Sequence, residues 1–216
     1  MSGAAHGPWW RLHEPTTTLT DWAITLVASS LALRLLATSD AAAARLLAGA
    51  LLAVALTALA GGLVHGVGPR LGERRRADLW LLTLQLAGLS NALLLAAAVV
   101  AHAPAGWRAP LLALAAAKLL LFAREAWRGG EFRLVVLDTL VALAGVAALE
   151  GAAWLLRDAR SAPWILGGVL VSLAAGGVQR AGLALHRHFN HNDLYHVVQL
   201  VAIWLFYRGG LLLPAP

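Results

Sequence analysis

Residues 42–65 read AAARLLAGALLAVALTALAGGLVH, and within these 24 residues only Arg45, Thr57 and His65 carry polar side chains. A helix rises about 1.5 Å per residue, so the stretch reaches roughly 36 Å, enough to cross the ~30 Å hydrocarbon core of a bilayer. A surface helix of that length in water keeps a polar stripe, and this one has none. The same ruler marks seven apolar stretches along the chain, at about 17–37, 42–65, 78–101, 110–127, 132–156, 163–185 and 193–213. Their connections are short. The expected fold is all-α: a polytopic membrane protein with seven transmembrane helices in one bundle, a single domain over residues 1–216.

The composition supports this outline. Hydrophobic residues make up 60% of the chain and charged residues 13%, with a mean hydropathy of +0.71. A soluble domain carries about 25% charged residues. A water-soluble globule and a disordered chain are both excluded. There is no cysteine, which removes disulfides, thiolate metal sites and cysteine nucleophiles. The net charge of +6 comes from arginine on a membrane chain, so it reads as a topology signal and not as a nucleic-acid surface.

The punctuation fits seven spans. Pro8, Pro15, Pro69, Pro104, Pro110, Pro163, Pro214 and Pro216 are expected in termini, loops or first turns, where a missing N–H costs little. Trp22, Trp80, Trp107, Trp127, Trp154 and Trp164 sit near span ends, as in an aromatic belt. No signal-peptide pattern precedes the first span, which is expected to be retained. One side of the alternating plan collects Arg11, Arg70, Arg74, Arg75, Arg76, Arg124, Arg128, Arg133 and Arg187. The other holds Arg45, Arg108, Arg157, Arg160 and Arg208, with Arg34 near the end of span one. The positive-inside rule then puts the N-terminus in the cytoplasm and the C-terminus outside.

Ionisable groups at membrane depth are costly and point to function or to pairing. Lys118 is the chain's one lysine and lies in span four, with Asp138 or Glu150 of span five as the expected ion-pair partner. Span seven has no lysine, so retinal attachment in the last helix is excluded. Gln179 and Arg180 read as deep in span six, and Gln85, Ser90 and Asn91 as interhelical hydrogen-bonding groups in span three. His186 and His188 flank Arg187 in a loop and read as solvated.

A tighter constellation gathers on the predicted cytoplasmic side. His65 ends span two, Asp78 opens span three, and His191, Asn192, Asp193, Tyr195 and His196 lead into span seven. Zinc takes imidazole nitrogens and carboxylate oxygens and, in catalytic sites, keeps one position for water. Such a water has a pKa near ~7, and a nearby carboxylate can take its proton. Asp193 and His196 are spaced i, i+3, which puts them on one helix face. His191 and His196 are five apart and share a face only if the helix starts between them or carries a π-bulge.

His65, Asp78 and His196 in these places resemble the CREST superfamily of seven-helix membrane proteins, which includes alkaline ceramidases, progestin/adipoQ receptors and hemolysin-III-like proteins. The family pattern is S-x-x-x-H in span two, an aspartate about a dozen residues on, and H-x-x-x-H in span seven. Asp21-Trp22 is similar to the acidic Asp-Trp stretch of the ceramidases. The resemblance implies a zinc-dependent hydrolase of a lipid amide or ester. His65 and His196 would be ligands helped by Asp193 or His191, and Asp78 would orient or deprotonate the water. Two positions depart from the pattern: Gly61 stands where the family has serine, and Asn192 where it has the first span-seven histidine. These departures keep a second reading open, a non-catalytic receptor or lipid-binding protein on the same scaffold. A third is a small transporter or channel using Lys118, Asp138, Glu150, Gln179 and Arg180 as a polar path. Under the first two readings the partner is a membrane lipid.

Overall fold

A computed structural model of the protein describes residues 12–214. Pro8, Arg11 and Pro216, used above for punctuation and topology, lie outside that range. Seven helices follow in chain order: α1 (Pro15–Thr38), α2 (Ala42–Val67), α3 (Glu73–His102), α4 (Ala105–Gly129), α5 (Phe132–Arg157), α6 (Ala162–Ala181) and α7 (His191–Gly210). A 3-10 turn, Gly68–Arg70, follows α2. Among the described residues there is no strand beyond an isolated bridge between His186 and Phe189. Six helices, α1 to α6, are long and apolar enough to cross a membrane. The seventh expected span, α7, is not among them, because His191, Asn192, Asp193, His196, Gln199 and Arg208 dilute its 20 residues.

Several ends differ from the sequence reading, each for a local reason. The helix α3 begins at Glu73, so Arg74, Arg75 and Arg76, expected in a loop, form its first turn. Glutamate at a helix start complements the macrodipole, and arginine is a good helix former. Pro104 caps α4, which places Pro110 inside the helix and not in its first turn. Gly106, whose carbonyl Pro110 leaves without a helical donor, is exposed. Gly130 (φ 62°) and Gly182 (φ 65°) end α4 and α6 in the left-handed conformation that glycine adopts without strain. The early stop of α6 puts Gln179 and Arg180 in its last turn; they are not deep in a span, and Arg180 is exposed.

The chain winds into a ring. Each of α1, α2 and α3 packs on the next, α5 packs on α3 and α6, and α6 leads to α7, which closes back on α1 and α2. The helix α4 stands outside this ring, against α3, and touches α5 only lightly. The main core holds Ile24, Leu35, Leu47, Val146, Ile203 and Phe206, all buried. Outward faces stay apolar: Leu26, Leu120, Leu155 and Leu156 are exposed.

Two buried polar clusters tie helices together. Asp138 accepts from Lys118 Nζ at 2.5 Å and from Asn91 Nδ2 at 2.8 Å, joining α5 to α4 and α3. Of the two partners expected for Lys118, it is Asp138 that takes it. Glu150 pairs instead with His102 Nε2 at 3.1 Å and accepts from Ser161 Oγ at 3.2 Å, near the opposite end of the bundle. Asp138 and Glu150 are twelve positions apart on α5, roughly 18 Å of helix. The buried residues between them are Ala142, Leu143 and Val146, so the polar clusters do not join.

Asp138 is 5% exposed at its side chain and Lys118 16%, so removing one partner strands a buried charge. Lys118→Met is expected to destabilise the protein by about 3–5 kcal/mol. The double variant Lys118→Met/Asp138→Asn should recover most of that loss. Urea or thermal unfolding in detergent measures both, and equal losses in the single and double variants would reject the pairing as the cause.

Candidate functional site

The α1–α2 contact sets the geometry of the His65 end. A Cβ on Gly62 would lie 2.8 Å from Trp22 Nε1 and 3.1 Å from Asp21 Cβ. On Gly66 it would lie 3.0 Å from Thr18 Oγ1. The absence of side chains here lets α1 come close enough to bury Thr17, Thr18 and Asp21. Its entry is pinned by His13 N–H, which donates to Gly66 O at 2.9 Å.

The start of α7 is built by its own sequence. Asn190 Oδ1 accepts from the N–H groups of Asn192 (2.7 Å) and Asp193 (3.4 Å), and Asp193 Oδ2 accepts from Asn190 N–H at 2.7 Å. This reciprocal capping box satisfies otherwise orphaned donors and fixes where the helix begins. His196 is thereby carried inward against α1.

His196 is held at both ring nitrogens. Its Nδ1 lies 2.8 Å from Thr20 Oγ1, and its Nε2 lies 3.3 Å from Asp21 Oδ1. The Thr20 hydroxyl donates to Thr17 O at 3.0 Å, so it accepts from His196 Nδ1–H. A neutral imidazole protonated at Nδ1 has only a lone pair at Nε2. The Nε2–Asp21 contact therefore needs a further proton, on the ring or on the carboxyl. His65 is held differently: its Nδ1 lies 2.9 Å from Glu14 Oε2, just before α1.

His65 and His196 line one chamber of 370 Å³. Every helix except α4 contributes to its wall. Its polar end carries Asp21, His65, Gln179, Asn192, Tyr195 and His196. Ile24, Val54, Ala58, Leu84 and Val135 make apolar walls, and Ser90, Asn91 and Thr139 reach it near the Lys118–Asp138 pair. Gln179 Nε2 donates to Asn192 Oδ1 at 3.3 Å across the α6–α7 junction. A second cavity of 520 Å³ adjoins it and shares His65 and Trp80. The Trp80 ring is fixed by its Nε1–H, which donates to Gly130 O at 2.8 Å.

Not every sequence candidate arrives here. Asp78 is exposed and lines neither cavity. Asp193 is fully buried but committed to the capping box, and its Oδ1 has no partner among the described residues. His191 is the first residue of α7, so no helix start or π-bulge between it and His196 brings the two onto one face. It lines neither cavity. His186 and His188 are exposed, as read. Glu14 and Thr20, which hold the two chamber histidines, were not among the sequence candidates. The clustering of Thr17, Thr18, Thr20 and Asp21 on the first turns of an otherwise apolar helix is the signal that marks Thr20.

Zinc, implied by the resemblance, would have to be held by these donors. Both nitrogens of His196 and one of His65 are engaged by protein groups. Asn192 bonds Gln179, and Asp193 bonds Asn190. Among the described residues no three histidine or carboxylate side chains stand as a metal-ligand group. As arranged, the residues do not fit the ion. Gly61, where the resembled CREST pattern has serine, faces Asp21: a Cβ there would lie 3.6 Å from Asp21 Oδ2.

A family model described as a family of unknown function, DUF6962, matches residues 16–214. The chain belongs to this family. The match takes in all of α2 to α7, nearly all of α1, and both chamber histidines, so the chamber is part of the DUF6962 unit. No curated protein and no solved structure matches the DUF6962 chain.

The close α1–α2 approach predicts a mutational cost. Gly62→Ala must displace the Trp22 indole or part the helices, and overpacking of that kind costs about 1–3 kcal/mol. A thermal melt of the purified variant should fall accordingly. An unchanged melting temperature would show that Trp22 moves freely and that Gly62 does not set the helix distance.

Proposed function

We propose that this protein is a seven-span membrane protein of a bacterial plasma membrane that binds one amphipathic membrane lipid in the chamber, without turning it over. In this reading α7 crosses with the other six, its polar residues facing inward. The N-terminus is cytoplasmic and the C-terminus outside, following the arginine bias. The observation that carries the proposal is the chamber itself. It has apolar walls, hydrogen-bonding groups at the His65–His196 end and again near the Lys118–Asp138 pair, and a volume in the ordinary range of small-molecule sites. Asp21 and Glu14 hold the imidazoles in place, as a binding site requires of its polar groups.

The chamber meets the second cavity at the His65 and Trp80 side chains, which line both, and this is where a lipid chain enters. A transport path gains no support, because the apolar run Ala142, Leu143 and Val146 parts the two buried carboxylates.

Filling the chamber tests the proposal. Native mass spectrometry of the detergent-purified chain should find about one lipid per protein. Ala87→Phe, on the chamber wall, should remove it while the helical circular dichroism stays unchanged. Unaltered lipid occupancy in a folded Ala87→Phe variant would overturn the proposal.

A second reading, zinc-dependent hydrolysis of a lipid amide or ester, is favoured by one observation: His65 and His196 face the same chamber. It requires Glu14 and Asp21 to release their imidazoles. Elemental analysis decides it. About one zinc per chain, lost in His65→Ala/His196→Ala, would support it, and metal-free protein that still carries lipid would reject it.

A further inference from the structure

The second cavity, at the mouth of the chamber, has a charge pattern that lipid binding alone leaves unexplained. Its wall includes Glu14, His65, Glu73, Arg76 and Trp80. His65 and Trp80 also line the chamber, so the two spaces meet at these side chains. Glu73 and Arg76 are spaced i, i+3 on the first turn of α3 and share a face. Among the described residues neither has an ion-pair partner, whereas Glu14 is held by His65 at 2.9 Å and approached by His13 Nδ1 at 3.8 Å. With neutral histidines the wall carries two carboxylates and one guanidinium, a net charge of −1.

That balance selects among headgroups. A phosphate finds one cation, Arg76, which can grip two of its oxygens. A headgroup that ends there brings its negative charge against two carboxylates, and like-charge contacts of this kind discriminate strongly between partners. A headgroup that adds a cation beside the phosphate meets the carboxylates favourably. A primary ammonium offers three N–H donors to carboxylate acceptors, and a quaternary one offers none. Arg74 and Arg75 lie on the same turn but do not line the cavity. They attract anionic membrane surfaces in general without entering this recognition.

We propose that the mouth cavity binds the phosphoethanolamine headgroup of a glycerophospholipid, phosphate on Arg76 and ammonium between Glu73 and Glu14, with an acyl chain entering the chamber past His65 and Trp80. The proposal rests on the lipid-binding reading and adds the headgroup to it.

Competition among lipids with identical acyl chains tests it. The full chain in detergent is titrated with phosphatidylethanolamine, phosphatidylcholine and phosphatidylglycerol and read by native mass spectrometry. Phosphatidylethanolamine should bind about tenfold tighter than the other two. Glu73→Gln, at an exposed position, should weaken phosphatidylethanolamine several-fold and narrow its preference, phosphatidylcholine losing less because its quaternary ammonium makes no hydrogen bond to the carboxylate. Arg76→Gln should weaken all three. Equal binding of phosphatidylethanolamine and phosphatidylcholine, or tighter binding of phosphatidylglycerol, overturns the headgroup assignment and leaves lipid binding standing. Saturable binding of none of the three, together with no co-purified lipid, overturns both.

Discussion

The distance between α1 and α2 governs the His65 end of this molecule. Three glycines, Gly61, Gly62 and Gly66, let the two helices touch where Asp21 and Trp22 stand. Without side chains on α2 at these places, the Asp21 carboxylate is carried inward to meet His196 of α7. The helix α7 in turn closes the ring against α1 and α2. A close approach of two backbones thus places a buried carboxylate, the carboxylate places an imidazole, and together they form one wall of the chamber. In apolar surroundings, packing of small residues does much of what hydrophobic exclusion does in water.

The buried polar groups obey a related rule. Leaving a buried charge unpaired would cost several kcal/mol, and two of the buried carboxylates find partners on other parts of the bundle. Asp138 takes Lys118 and Asn91, and Glu150 takes His102 and Ser161. These are clamps at separate depths. The Lys118–Asp138 bond has particular weight because α4 lies outside the ring and touches α5 only lightly. Charge here does the work that apolar contact does elsewhere in the bundle.

Much of the fold was legible in the sequence because its period and length signals are strong. Runs such as 42–65 cannot be read as anything but long apolar helices. What was less legible follows from signals that work over a few residues. The arginines at 74–76 looked like a loop because topology reading weighs their charge, yet they follow Glu73 at a helix start and extend α3. The polar first half of α7 was counted as membrane span by length alone, while its composition falls below that of the other six. At the site, His65 and His196 were found because ionisable groups are scarce within the apolar stretches, and the shared chamber follows from their common depth. Asp78 was chosen by its distance along the chain from His65, which says nothing about which face of α3 it occupies, and it points out. Asp21 holds the position that matters, brought there by glycines on a different helix. No spacing rule within α3 or α7 reveals that contact.

The two chamber histidines also show how one scaffold can stand between chemistry and recognition. A metal ion needs imidazole lone pairs turned toward a common point. In this chain a carboxylate or hydroxyl already occupies three of the four ring nitrogens. Each such contact fixes a ring by hydrogen bonding, which suits the proposed binding role. At the same time each lowers the number of lone pairs free to converge on an ion. Gly61 acts in the same direction. Beside Asp21 it supplies no hydroxyl, and the space it leaves brings the carboxylate nearer the chamber instead. The engaged ring nitrogens and the missing hydroxyl both leave fewer groups free to hold a metal-bound water, which favours the proposed binding role over the hydrolytic one.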